Sequence, residues 1–118
     1  MSWLRQRAQS FSHAANGVRL LLSEEHHARV HLVATALVLM AAWAFEITRT
    51  DWQVLILTVA MVWLAEALNT ALEHLSDAAV PHHHPLIGKA KDVAAGAVLI
   101  TAGFALVMAG LIFVPYLW

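Results

Sequence analysis

Three stretches of this sequence are almost free of formal charge: Val30 to Phe45 carries none, Trp52 to Leu72 carries only Glu66, and Val93 to Trp118 carries none. A helix needs about 20 residues, at about 1.5 Å each, to cross the roughly 30 Å hydrocarbon core of a bilayer. Each stretch therefore predicts one membrane-spanning helix, over 29–46, 52–74 and 92–117. The first must borrow its flanks, including Arg29 and Glu46, and the third is long enough to tilt. Trp52, Tyr116 and Trp118 fall at span ends, where amphipathic rings prefer the headgroup level. The composition agrees, because 60% hydrophobic and 13% charged residues in 118 are too apolar for a soluble domain of this size. The expected fold class is a single-domain, all-α membrane protein.

Ahead of the first span, Leu4, Ala8, Phe11, Ala15, Val18 and Leu22 recur at three- and four-residue steps, with Arg5, Gln9, Ser12, Asn16 and Arg19 on the opposite side. This predicts an amphipathic helix over 1–28 that lies on the membrane surface. Arg7, Gln9 and His13 interrupt the apolar run that a secretory signal would need, so the segment is expected to stay on the protein. Arg5, Arg7, Arg19 and Arg29 precede the first span and Lys89 and Lys91 precede the third, whereas only Arg49 lies between the first two. By the positive-inside rule, the N-terminus and a loop over 75–91 face the cytoplasm. The net charge of −1 and scattered cations give no basic patch, which sets nucleic acid aside as a partner. The absence of cysteine removes thiol nucleophiles and thiolate metal sites. Any chemistry falls to carboxylates, His, Lys, Arg and Asn.

Glu66, Asn69, Glu73 and Asp77 stand at i, i+3, i+7 and i+11, which places all four within roughly 80° on one helix face. An ionisable group inside a span is costly enough to be presumed functional or paired. For Glu66 the plainer alternatives are access to water at the interface, or a structural contact with His31. Glu25 and Arg29 close the surface helix, and Lys91 and Asp92 open the third span, so all can meet at one depth. Glu25, Glu66, Glu73 and Asp77 offer hard oxygen ligands for Mg²⁺, Lys91 offers a cation for phosphate oxygens, and a carboxylate is available to deprotonate a lipid hydroxyl. For Lys91 and Asp92 the structural alternative is a membrane anchor and a helix cap. No G-x-x-x-x-G-K-[ST] loop, H-R-D or D-F-G is present, so soluble-kinase architectures are excluded.

The run Ala65-Glu66-Ala67-Leu68-Asn69-Thr70-Ala71-Leu72-Glu73, with Asp77 after it and Ala90-Lys91-Asp92-Val93-Ala94-Ala95-Gly96-Ala97-Val98 beyond, closely resembles the prokaryotic diacylglycerol kinase and undecaprenol kinase family. The likeness covers E-x-x-N-[ST]-A-x-E and A-K-D-x-x-[AS]-[AG]-A-V and extends back through Gly17, Arg19, Glu25 and Arg29. It implies a homotrimer of three-span subunits in the bacterial inner membrane, with active sites between neighbouring subunits and a surface helix shaping a lipid entrance. It implies Glu66 as catalytic base and Glu25 and Glu73 as Mg²⁺ and nucleotide ligands. Asp77, His84, Lys91 and Asp92 are implied as further ATP contacts, and Arg19 and Asn69, with Glu66, as contacts of the lipid substrate. The family's N-terminal arginine has Gln6 at its ungapped position, flanked by Arg5 and Arg7. The activity implied is transfer of the γ-phosphate of ATP to diacylglycerol, giving phosphatidic acid. Undecaprenol is the alternative, because His31 and His84-Pro85-Leu86 look like that branch.

Two readings from other classes compete. His27 and His31 stand at i and i+4, with His26 adjacent and His82 to His84 on the same side, which is ligand-type spacing for a metal-handling membrane protein. Gly96, Gly103 and Gly110 recur every seven residues along the third span, a stripe that permits close helix packing and suits an assembly subunit.

Overall fold

The computed structural model describes residues 2–118, and every regular element in it is helical. Helix α1 (Trp3–Glu24) is followed by α2 (His26–Ala44), α3 (Arg49–Ala79) and α4 (Pro85–Phe113), and a short 3₁₀ turn (Val114–Leu117) ends the chain. The expected all-α membrane class is therefore the observed one. Three helical stretches are long and apolar enough to cross a membrane: α2 with 19 residues, α3 with 31, and α4 with its 3₁₀ extension, 33 together. At about 1.5 Å per residue α2 is about 28 Å long, just a bilayer core, while α3 overshoots it by several turns.

That overshoot revises the element boundaries. The segment 75–91, read as a loop, is helical at both ends, and only residues 80–84 connect α3 to α4. Pro85 at the first position of α4 explains the early start, since its missing N–H is one the helix leaves unpaired anyway. The surface helix stops at Glu24 rather than 28, because Glu25 turns extended (φ −98°, ψ 119°). Arg29, on the next helix, reaches back to the carbonyls of Ser23 and Leu22, so a cation satisfies the last acceptors of α1. Ala28 is fully buried at this elbow, where a larger side chain would hold the two helices apart. No residue of α1 is buried, so the helix borrows nothing from the bundle except this joint.

The opposite end of the bundle is closed by hydrogen bonds. Helix α2 ends in a Schellman motif: Ile47 N–H donates to the Ala42 carbonyl (3.3 Å) and Glu46 N–H to that of Trp43 (3.2 Å). Glu46 supplies the left-handed residue the motif needs, at φ 51°, where a Cβ costs roughly 1–2 kcal/mol. Ile47 and Ala42 are buried together with Leu55 and Ile112 in a small apolar cluster. Thr48 then caps α3 by accepting from Asp51 N–H (3.1 Å). Tyr116, expected only as a headgroup-level ring, donates to the Asp51 carboxylate at 2.6 Å and accepts from Thr48 N–H at 3.0 Å. The C-terminal turn is thereby pinned to the α2–α3 connection.

Elsewhere the surface is apolar: Leu37, Leu57, Leu99 and Leu106 are each more than half exposed, a pattern that water would not tolerate and lipid does. A Cβ added at Gly96, Gly103 or Gly110 would meet nothing, so the glycine stripe serves no contact within the chain. Two outcomes follow from the closed end. Glu46→Gly raises stability by about 0.5–1 kcal/mol, the relief of the left-handed conformation less the added flexibility of the unfolded chain. Tyr116→Phe lowers it by about 1 kcal/mol through the two lost hydrogen bonds. Both are read as shifts in the detergent-solubilised unfolding midpoint.

Candidate active site

The depth of Glu66 is set by where α3 begins. The cap at Thr48 and the 31-residue helix place Glu66 some way short of the helix's far end, still packed against α2, while Glu73 and Asp77 run on beyond it. Glu66 is 3% exposed, one of two buried polar residues among those described. Its carboxylate Oε2 lies 3.4 Å from His31 Nε2 of α2. An unpartnered carboxylate in so apolar a setting would be expensive, and the imidazole offsets part of that cost.

His31 is itself held in place. Its ring meets the Trp63 indole edge to face, 6.3 Å between centroids. Trp63 Nε1 donates to Thr35 Oγ1 (3.0 Å), whose own hydroxyl donates to the His31 carbonyl (2.7 Å). Trp63 stands three residues before Glu66 and Thr35 four residues after His31, so this brace between α2 and α3 follows helical spacing on both sides. Those two spacings were available in the sequence as a signal for it.

A cleft of about 340 Å³ opens beside this pair, walled by Ala95, Val98, Leu99 and Ala102 of α4 and edged by His27. Glu25, Glu66, Asn69 and Glu73 all face it, so four of the residues expected in a site share one space. The Asn69 carboxamide oxygen is buried with no hydrogen-bond partner, as is the Thr70 hydroxyl. Glu25 Oε1 accepts from, or shares a proton with, His74 Nε2 at 3.2 Å. His74 had not been singled out, and a contact spanning 49 residues left no mark in the local pattern.

The other expected site residues are placed elsewhere in the single chain. Lys91 Nζ pairs with Asp77 outside the cleft, tying α4 to the end of α3. His84 caps α4, its Nδ1 accepting from Leu86 N–H at 3.1 Å. Arg19 is on α1, bound to the Asn16 side chain at 2.9 Å. Asp92 is exposed in the first turns of α4. The chain thus brings together Glu25, Glu66, Asn69 and Glu73, and not Asp77, His84, Lys91, Asp92 or Arg19.

Among the described residues, no three His, Asp or Glu side chains converge into a ready-made metal site, and this includes the histidine clusters. The cleft's donors are of a different kind: two partly exposed carboxylates, Glu25 and Glu73, and the free amide oxygen of Asn69. Hard oxygens in small number fit Mg²⁺, which ordinarily keeps waters and phosphate oxygens for the rest of its shell.

Replacing Glu66 by Gln removes a buried acid and keeps the shape. The expected unfolding midpoint of Glu66→Gln in detergent is equal to or above that of the native chain. A clear drop would show the pair to be structural glue.

Comparison with known proteins covers the span that contains these residues. The family described as prokaryotic diacylglycerol kinase matches residues 12–113. The chain is 36% identical over 109 residues to an undecaprenol kinase of Bacillus subtilis, covering 92% of this chain and 89% of that one. It is 37% identical over 107 residues to a diacylglycerol kinase of Synechocystis, covering 90% of this chain and 61% of that longer protein. To a diacylglycerol kinase of Escherichia coli it is 33% identical over 84 residues, covering 71% of this chain and 69% of the other.

Proposed function

The chain belongs to the prokaryotic diacylglycerol kinase family, and from that premise we propose that it transfers the γ-phosphate of ATP to the hydroxyl of a membrane lipid. The observation that carries the reading is the shared cleft: Glu25, Glu66, Asn69 and Glu73 face one space between α2, α3 and α4. The residue types match what phosphoryl transfer asks of a protein, which is positioning and charge neutralisation rather than covalent chemistry.

Glu66 takes the proton of the lipid alcohol as its oxygen attacks the γ-phosphorus. The bond from that phosphorus to the bridging oxygen of ADP breaks, and the proton stays on Glu66. Asn69 orients the alcohol through its free carboxamide oxygen. Glu25 and Glu73 would hold Mg²⁺, which when bound neutralises the phosphate oxygens of ATP. The apolar walls from α4 keep water from competing with the lipid.

Lys91, Asp92, Asp77 and His84 reach the nucleotide in a homotrimer, where the site lies between subunits and one chain supplies what its neighbour lacks. Arg19 contributes from α1 to the lipid entrance. The cation distribution supports an inner-membrane protein with its N-terminus, and hence the cleft, on the cytoplasmic side where ATP is found.

Diacylglycerol is the first substrate reading, as in the family's description and the Synechocystis and Escherichia coli relatives. Undecaprenol is the second, favoured by the match that covers most of both chains.

In mixed micelles with Mg·ATP, the native protein is expected to phosphorylate one of these lipids in preference to the other, and the labelled product identifies it. Glu66→Gln is expected to lose about 10³-fold or more in turnover while remaining assembled. Near-normal rates in that variant would remove Glu66 from the role. Mixing Glu66→Gln with Lys91→Ala subunits is expected to restore part of the activity, because some mixed trimers then contain an intact intersubunit site. No recovery would place both residues in the same subunit's site.

A further inference from the structure

His31 lines two cavities at once. One is the polar cleft. The other is an apolar groove of about 300 Å³ running along α2, α3 and α4, with Ala34, Val38, Leu55 and Ala105 among its walls. Within that groove the Thr35 and Thr58 hydroxyls are already spent on the carbonyls of His31 and Val54. Among the described residues, His31 is the one ionisable group lining it. The imidazole therefore stands where hydrocarbon gives way to charged groups, the level at which a lipid presents its hydroxyl.

We propose that His31 is a positioning residue for Glu66: its Nε2 aims and holds the carboxylate that accepts the lipid's proton. The assignment rests on the lipid kinase reading. Glu66 has no other polar side-chain contact among the described residues, and the imidazole 3.4 Å away cannot swing freely. Trp63 walls its ring, and Thr35 ties its backbone to α3 through the same indole. A carboxylate held beside one partner on a braced helix samples fewer positions, and loss of that restraint lowers the rate of transfer rather than the affinity for ATP.

The test uses purified protein in mixed micelles with Mg·ATP and diacylglycerol or undecaprenol. His31→Phe keeps a planar ring without a polar nitrogen, and His31→Gln keeps an N–H near the position of Nε2. The expected result is a loss in kcat of about tenfold or more for His31→Phe with KM for ATP unchanged, and recovery to within about threefold of native for His31→Gln. Near-native kcat for His31→Phe, equal losses in both variants, or a change confined to KM would overturn the assignment while the kinase reading stands. Native protein that phosphorylates neither lipid would overturn both. If His31→Phe does not assemble, His31→Ala opens a space between the two cavities. Saturable rescue of its turnover by added imidazole supports the assignment, and the absence of rescue overturns it.

Discussion

A carboxylate inside a helix that crosses a bilayer must find a partner, and in this chain Glu66 finds His31. Low dielectric makes that requirement strict, because the cost of leaving the charge alone exceeds the gain from any single apolar contact nearby. The pair is one polar link between α2 and α3. The Trp63 and Thr35 hydrogen bond repeats the constraint one turn away, so that rotation of either helix would break two polar contacts in a medium that offers no replacements.

The two ends of the bundle are built on opposite principles. At the α2–α3 turn a Schellman motif, a threonine cap and the Tyr116 hydroxyl close the connection over a small apolar cluster. At the cleft end polar groups are spared. The Asn69 oxygen is unpartnered, Glu25 has only an exposed histidine, and Glu73 is free to face the space. Stability is concentrated away from the site, and the unsatisfied groups sit where an incoming ligand can satisfy them. The mostly apolar exterior places the remaining stabilisation in the surrounding lipid.

The helical membrane class and three spans were legible from charge-free length alone, and the helix face on which the acids of α3 collect was legible from their i, i+3, i+7 spacing. Boundaries were less so. Residues 75–79 and 85–91 read as loop because they are polar, yet they are helical, since once a helix has left the hydrocarbon its polar continuation costs nothing. The Glu66 and His31 contact is one alternative the sequence offers, while the hydrogen bonds of His74 and Tyr116 leave no local mark because their partners lie 49 and 65 or more residues away.

What the linear chain determined by itself is where each helix runs and which face carries the acids, because both follow from local rules of length and a 3.6-residue period. Tertiary structure decided which of those acids share a space. Glu25 comes from an elbow, and its distance from Glu73 depends on how Arg29 and Ala28 set the angle between α1 and α2. Asp77 lies on the same stripe as Glu66 yet is drawn to Lys91 instead, since the helix carries it past the cleft and a cation on α4 stands closer. Periodicity places a residue on a face. Only the packing of a second helix decides whether that face meets a cavity, a partner or lipid.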